Sequence, residues 1–125
     1  MLKNESVVVI TDNTWAKKGK IIRILKGSTG RTAGIWDKVM LAVKSALPTG
    51  SVKKGEVVMG VVVRTRKEFA RKDGTYLRFS DNAVVLLTKN DKWEIAPIGK
   101  RVFGPVAREI RDEFRVITNM SEEVV

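Results

Sequence analysis

The segment at positions 60–87 decides the fold, and it reads GVVVRTRKEFARKDGTYLRFSDNAVVLL. Two apolar runs, at 60–63 and 83–87, flank a polar stretch that contains Asp73-Gly74. Asp-Gly between strand-like runs is typical of a tight hairpin turn, because these residues tolerate positive φ. The segment therefore predicts a buried strand that continues into a two-stranded arm, turns at Asp-Gly and returns as a second buried strand.

The predicted arm is strongly basic. Its acidic residues are Glu68 and Asp73, and its basic residues are Arg64, Arg66, Lys67, Arg71, Lys72 and Arg78. Lysine and arginine also protect exposed strands against aggregation, so a merely solvated hairpin is the alternative interpretation. Because the charge is one-sided, we predict that these basic residues contact a polyanion.

The composition of the whole chain supports a polyanionic partner. The 125 residues carry a formal net charge of +10, and 43% of them are hydrophobic, which is typical of a folded basic domain. Nucleic acid is the commonest partner of such a protein. Cysteine and histidine are both absent, which removes thiolate metal sites and the usual general base. We predict no cofactor, and no stretch approaches the ~20 apolar residues that span a bilayer.

Short apolar runs separated by turn residues predict a β-protein. The strand candidates are at positions 6–11, 20–26, 38–46, 56–65, 75–79 and 83–88. Such spacing predicts a small barrel or sandwich. Continuous apolar runs, such as 57–63, indicate strands that are covered on both faces.

The pattern becomes helical near the C-terminus. Pro105 suits the first position of a helix, and apolar residues then recur at helical spacing at Val106, Ala107, Ile110 and Phe114. Ser121 is predicted to begin a second, shorter helical turn. We interpret positions 1–125 as one domain, mainly β, with a helical C-terminal appendage from about position 104.

Further basic residues lie outside the arm. No acidic residue occurs at positions 13–36, and this stretch contains Lys17, Lys18, Lys20 and Arg23. We predict that these four residues, together with Lys53 and Lys54, contact RNA. Lys100, Arg101 and Arg108 are explained equally well by helix capping or surface ion pairs.

The chain resembles a known family, the large-subunit ribosomal protein conventionally numbered fourteen. Its signature is matched by Gly60, Val61 to Val63, Asp73-Gly74, Phe79, Asn82 and Val85-Leu86. Further similar segments are 43–46, 52–55 and 101–109. The resemblance implies a closed five-stranded β-barrel with a projecting β-ribbon and short C-terminal helices.

The resemblance also implies partners. They are large-subunit ribosomal RNA, neighbouring large-subunit proteins, small-subunit RNA at bridges between the subunits, and a ribosome assembly or silencing factor, with no membrane. Lys44 then falls near a loop that faces the small subunit. With Lys100, Arg101 and Arg108, it is predicted to contact a protein or the opposite subunit.

Some positions depart from the family pattern. Trp15 and Trp36 stand where the family usually has glycine, and the segment 89–99, with Trp93, is longer than usual. Indoles in place of two turn glycines imply an altered local backbone or new packing partners. These departures favour an organellar ribosome, in the mitochondrial matrix, over one in the bacterial cytoplasm.

The two alternative function classes are a free-standing RNA-binding protein and a nuclease. A free-standing small-barrel RNA adaptor or chaperone usually exposes several aromatics for base stacking, whereas this chain has eight aromatics in all and one tyrosine, Tyr76. A nuclease would need paired carboxylates, and the candidates are Asp12, Asp37, Asp73 and Asp81. Aspartate in such turns usually bonds its own backbone, so we predict that the protein is not an enzyme.

Overall fold

The computed structural model describes residues 2, 3, 5–14, 16–25, 32–50, 52–89, 95–112 and 114–125. Trp15 and Trp93 lie outside the described residues. Ten strands, one 3-10 helix and one α-helix occur among the described residues. In chain order, the elements are β1 Val7–Ile10, β2 Ala16–Ile24, β3 Lys38–Ala46, β4 Val57–Arg64, β5 Phe69–Ala70, β6 Tyr76–Leu77, β7 Ala83–Lys89, β8 Ile95–Pro97, β9 Val102–Val106, the 3-10 helix Arg108–Asp112, α1 Arg115–Met120 and β10 Ser121–Val124.

Five strands close into a barrel. The main sheet has the order β1-β2-β3-β4-β7-β8, and β1 also pairs in parallel with β7, through Val9 opposite Ala83 and Ile10 opposite Val84. This pairing closes β1, β2, β3, β4 and β7, while β8 extends the sheet beside β7. The prediction of a mainly β protein with a closed five-stranded barrel is confirmed.

The barrel interior is filled by branched aliphatic side chains. Fully buried members include Ile21, Leu41, Val62 and Leu86, each from a different strand. Gly19 and Gly60 provide the room for Leu41, because a Cβ at these positions would lie 2.2 Å and 2.9 Å from its methyl groups. Close packing across the barrel therefore explains glycine within these two strands.

Strands β4 and β7 are buried on their outer face as well. Their outward side chains, among them Val61, Val63 and Val85, pack with Ile110 and Ile117 in a second hydrophobic cluster. The residues after 101 thus form a layer over these two strands, which we call the C-terminal layer (residues 102–125). Burial on both faces explains why the runs 60–63 and 83–87 are continuously apolar.

The C-terminal layer differs from the predicted helical appendage. Pro105 lies in β9, which pairs in parallel with β10, so the prediction that Pro105 begins a helix is wrong. Ser121 likewise begins a strand rather than a helical turn. The periodic apolar residues are nevertheless all buried, as predicted: Val106, Ala107, Ile110 and Phe114. The spacing of the apolar residues identified which of them are buried. It did not indicate that a later segment, β10, pairs in parallel with β9.

The basic arm forms a small two-stranded ribbon, β5–β6. Gly74 adopts a φ of +88° and donates its N–H to the Arg71 carbonyl oxygen at 3.0 Å, while the Arg71 N–H donates to the Thr75 carbonyl oxygen at 2.8 Å. Of the two predicted turn residues, only Gly74 has a positive φ. The ribbon lies against the 3-10 helix, through an ion pair of 3.0 Å between Arg71 and Glu109.

Candidate nucleic-acid interface

Irregular pairing between β2 and β3 exposes three lysines together. The register shifts between Ala16 and Lys18 and again between Lys18 and Gly19, so that Lys17 and Lys44 are each an extra residue in their strand. Such bulges turn consecutive side chains outward. Lys17, Lys18 and Lys44 are all exposed, and Lys18 lies opposite Ser45, the neighbour of Lys44.

A turn beside β3 brings two more lysines to the same end of the barrel. Lys53 and Lys54 are exposed in a turn whose Gly55 N–H donates to the Val43 carbonyl oxygen at 2.8 Å. The Lys53 N–H also donates to the Glu56 carboxylate at 3.0 Å. We call this group the lysine patch: Lys17, Lys18, Lys44, Lys53 and Lys54.

Lys100 and Arg101 lie at this end of the barrel as well. The Asn13 side-chain oxygen accepts both of their main-chain N–H groups, at 2.8 Å and 3.2 Å. Asn13 belongs to the turn between β1 and β2, so it fixes this loop near the start of β2. Both basic side chains are exposed.

Strand β2 continues the basic surface along the barrel. Lys20 is half-buried and Arg23 is exposed, and the register shift beside Ile22 leaves this isoleucine 46% exposed. On the neighbouring strand, Val7 is 59% exposed opposite Lys20. Among the described residues, no second layer covers this face, which we call the open wall (the outer face of β1 and β2).

The ribbon carries exposed cations at the other end of β4. Arg66, Lys67, Lys72 and Arg78 are exposed, and an open cleft of about 370 Å³ is lined by Arg66, Arg78, Phe79 and Ser80. Arg66 is held by the hydrogen bond from its Nε to the Ser80 carbonyl oxygen, at 3.2 Å. The β4 strand separates this region from the lysine patch by roughly 25 Å at the usual rise per residue.

Arg64 does not lie on the surface of the arm, where the sequence led us to expect it. Its side chain is buried: Nη1 donates to the carbonyl oxygens of Phe103 and Pro105 at 3.1 Å and 3.2 Å, and Nε lies 3.0 Å from an Asp81 carboxylate oxygen. A Cβ at Gly104 would lie 2.3 Å from Nη1, so glycine there makes room for the guanidinium. Because its donors face protein acceptors, Arg64 joins β4 to β9 rather than presenting charge to RNA.

Two further predicted contact residues have protein partners. Arg71 is 11% exposed, pairs with Glu109 and donates to the Val125 carbonyl oxygen. Arg108 is 56% exposed and lies 3.5 Å from the Asp73 carboxylate. These contacts fasten the ribbon to the C-terminal layer, although Arg108 keeps an open side to solvent.

The four aspartates considered for nuclease chemistry support local structure. Asp12 accepts hydrogen bonds from the Thr14 hydroxyl at 2.7 Å and the Leu86 N–H at 3.0 Å, and burial raises the pKa of its carboxyl. Asp37 accepts the Gly34 N–H at 2.7 Å, and Asp81 pairs with Arg64. Hydrogen bonds from the Thr75 hydroxyl and N–H lower the pKa of Asp73. No group of three or more carboxylates among the described residues is arranged to hold a metal ion.

The basic residues group differently in the structure than the sequence analysis predicted. Lys44, Lys100 and Arg101 were assigned to protein contacts, yet they lie with Lys17 and Lys18 at one end of the barrel. The exposed valines and isoleucine of the open wall were not predicted. Alternation with buried Val8 and Ile10 could have identified Val7 and Val9 as outward-facing.

The described residues thus form a small closed barrel with basic outer surfaces and an added C-terminal layer. The family model described as ribosomal protein L14p/L23e matches residues 1–125, the whole chain. The chain belongs to this family, whose members are structural proteins of the large ribosomal subunit. Within the described part of the chain, no helix is both long and apolar enough to cross a membrane.

Proposed function

We propose that this protein binds large-subunit ribosomal RNA through two separate basic surfaces. The first is the lysine patch with Lys20 and Arg23 of the open wall, and the second is the exposed face of the ribbon. The observation that carries the proposal is the set of register shifts in β2 and β3, which turns Lys17, Lys18 and Lys44 outward at one place.

Phosphate is the expected target of these lysines. Lysine side chains on a strand surface cannot read base edges in the deep, narrow major groove of RNA, but they can neutralise its backbone. Two basic surfaces separated by the length of β4 can screen two RNA segments at once. Neutralisation of the RNA phosphates lets the two segments pack closely around the barrel. The protein thus stabilises the folded RNA through its positive charge and through the shape of its surface.

Lys100, Arg101 and Arg108 are proposed to face a neighbouring protein or the small subunit, and Lys44 is proposed to share this contact with the RNA. An assembly or silencing factor is proposed to use the end of the barrel with Lys44, Lys100 and Arg101, whereas Arg108 lies beside the ribbon. The mitochondrial location stays a prediction.

A pair of charge reversals tests the RNA surface. Lys18 and Arg115 are both exposed, the first on the lysine patch and the second on α1. Lys18→Glu should weaken binding to a large-subunit RNA transcript and reduce the slope of log affinity against log salt by about 1. Arg115→Glu makes the same change of charge elsewhere and should leave the slope unaltered. Equal effects of the two variants would show that net charge alone, rather than this surface, governs binding.

Association with the ribosome is tested separately by sucrose-gradient sedimentation at low and high Mg²⁺. The protein should follow the large subunit under both conditions and resist a moderate salt wash. Remaining at the top of the gradient, despite RNA binding in isolation, would instead support a free-standing adaptor.

A further inference from the structure

The turn at positions 34–37 presents a half-exposed indole on a strained backbone. Trp36 has a φ of +63° and is 43% exposed. A residue with a Cβ adopts this left-handed conformation only at a cost in free energy, so the surrounding contacts must impose it. Strain of this kind, at an exposed aromatic residue, suggests a function for the side chain rather than for the fold.

Several contacts hold the main chain of this turn in place. The main-chain N–H of Trp36 donates to the Val62 carbonyl oxygen of β4 at 2.9 Å. The Asp37 carboxylate accepts the main-chain N–H of Gly34 at 2.7 Å. Ile35, the preceding residue, is buried in the second hydrophobic cluster. The main chain at Trp36 is therefore held in place on both sides, while its side chain stays 43% exposed.

A cleft of about 380 Å³ lies between Trp36 and the ribbon. This volume is within the range of about 300–1,000 Å³ that is usual for small-ligand sites. On the ribbon side, the Arg71 guanidinium lies 5.9 Å from the centroid of the Phe69 ring, so the lining combines aromatic and cationic groups.

The lining of the cleft carries an excess of positive charge. It contains four basic and two acidic residues: Arg71, Lys72, Arg108, Arg111, Asp73 and Glu109. Glu109 pairs with Arg71, and Asp73 lies beside Arg108. The excess therefore rests on Lys72 and Arg111, which are both exposed. An occupant with a planar face and a negative charge fits this combination.

We propose that this cleft, which we call the Trp36 cleft (lined by Trp36, Phe69 and the six charged residues named above), takes an unpaired base of RNA. The indole of Trp36 stacks on the base, and Lys72 and Arg111 neutralise the adjoining phosphates. Stacking on aromatic side chains is the usual way in which proteins bind unpaired bases. The inference rests on the proposed RNA-binding function and adds a contact that phosphate neutralisation alone would not need.

Two substitutions at the same position test the stacking. Trp36→Leu keeps a Cβ, and hence the backbone strain, but removes the aromatic face, whereas Trp36→Phe keeps an aromatic face. The affinity for a large-subunit RNA transcript should fall about 5- to 100-fold for the leucine variant and much less for the phenylalanine variant. The salt slope should stay unchanged in both variants, because no phosphate contact is removed.

Each outcome decides a different point. If the wild-type protein binds the transcript with a steep salt slope and Trp36→Leu binds equally well, the stacked base is excluded while the proposed function stands. A transcript bound equally well by Trp36→Leu, combined with loss of that variant from purified large subunits, would assign the cleft to a protein neighbour and overturn the inference. If the wild-type protein shows no salt-dependent binding, the proposed RNA function fails with it. Trp36→Gly, which suits the positive φ, should fold at least as well as Trp36→Leu and bind as weakly.

Discussion

Strands β2 and β4 belong to the same closed barrel, but their outer faces meet different surroundings. The outer face of β4 is packed under the C-terminal layer, where Val61 and Val63 are fully buried. The outer face of β2 is the open wall, where Lys17 and Lys18 are exposed. The inner faces of both strands fill one core, so the barrel alone does not determine which outer face is polar.

The two outer faces differ in whether the chain itself covers them. On β4 the chain covers its aliphatic face with Ile110 and Ile117, and secures the layer through Arg64. On β2 the register shifts turn lysines and an isoleucine to solvent instead. We infer that the covered side supports the stability of the fold, while the open side is available to RNA.

The largest effect is expected from removal of the guanidinium that joins β4 to the C-terminal layer. Arg64→Ala should lower the free energy of unfolding by about 3–5 kcal/mol, because Asp81 and two carbonyl oxygens lose their buried partner. Urea unfolding of both proteins measures the change. The control, Arg66→Ala on the exposed ribbon, should cost about 0.5 kcal/mol or less. Comparable losses would show that Arg64 is no more important to the fold than a surface arginine.

Two isoleucine substitutions compare the face under the C-terminal layer with the open wall. Ile110 is fully buried under the C-terminal layer, and Ile22 is 46% exposed on the open wall. Ile110→Ala should cost about 2–5 kcal/mol, through lost burial and the cavity that remains. Ile22→Ala should change the stability by about 0.5 kcal/mol. Thermal and urea unfolding give both values, and a large loss for Ile22→Ala would mean that the open wall is not open in solution.

Asp12 lies where the turn after β1 meets β7, and its replacement should have a smaller effect. In Asp12→Asn, the amide NH₂ would face either the Leu86 N–H or the Thr14 N–H, and the N–H that it faces loses its acceptor, at a cost of about 1–3 kcal/mol near neutral pH. Equilibrium unfolding of the variant and the wild-type protein measures this cost.

The pH dependence of the same pair gives a second test. Burial raises the pKa of Asp12 in the folded state above its ordinary value of 3.8, so the folded state binds the proton more tightly than the unfolded state. The part of the stability that comes from this tighter proton binding is therefore fully present below pH 3.8 and is lost as the pH rises through the folded pKa of Asp12. The wild-type protein should gain stability over Asp12→Asn as the pH falls through this window. The opposite slope would show that the hydrogen bonds to the carboxylate outweigh its burial.

Much of the fold followed from local patterns in the sequence. The two apolar runs predicted β4 and β7, and the spacing of Ile110 and Phe114 predicted their burial. Turn residues predicted the ribbon at Gly74. These features depend on neighbours in the sequence, which is why pattern and spacing were sufficient for them.

The missed features depend on distant partners. An arginine at the end of a strand looks the same in sequence whether it meets solvent or, as Arg64 does, two carbonyl oxygens some forty positions away. The parallel pairing of β9 with β10 requires a partner strand that local spacing does not indicate. The grouping of Lys17 with Lys44 likewise depends on shifts of register. For the candidate interface, the sequence thus predicted the charges but not their grouping.

The parallel pairing of β1 with β7 also determines when the barrel can close during synthesis of the chain. Val9 pairs with Ala83, so the barrel cannot close until β7 has left the exit tunnel of the ribosome that makes it. Even then, the outer faces of β4 and β7 lack their cover until residues 102–117 emerge. A chain that stalls in this interval exposes its most apolar strands, and long-range pairing of this kind forms slowly. Rapid completion of residues 102–125 therefore shortens the time for which these apolar faces stay uncovered.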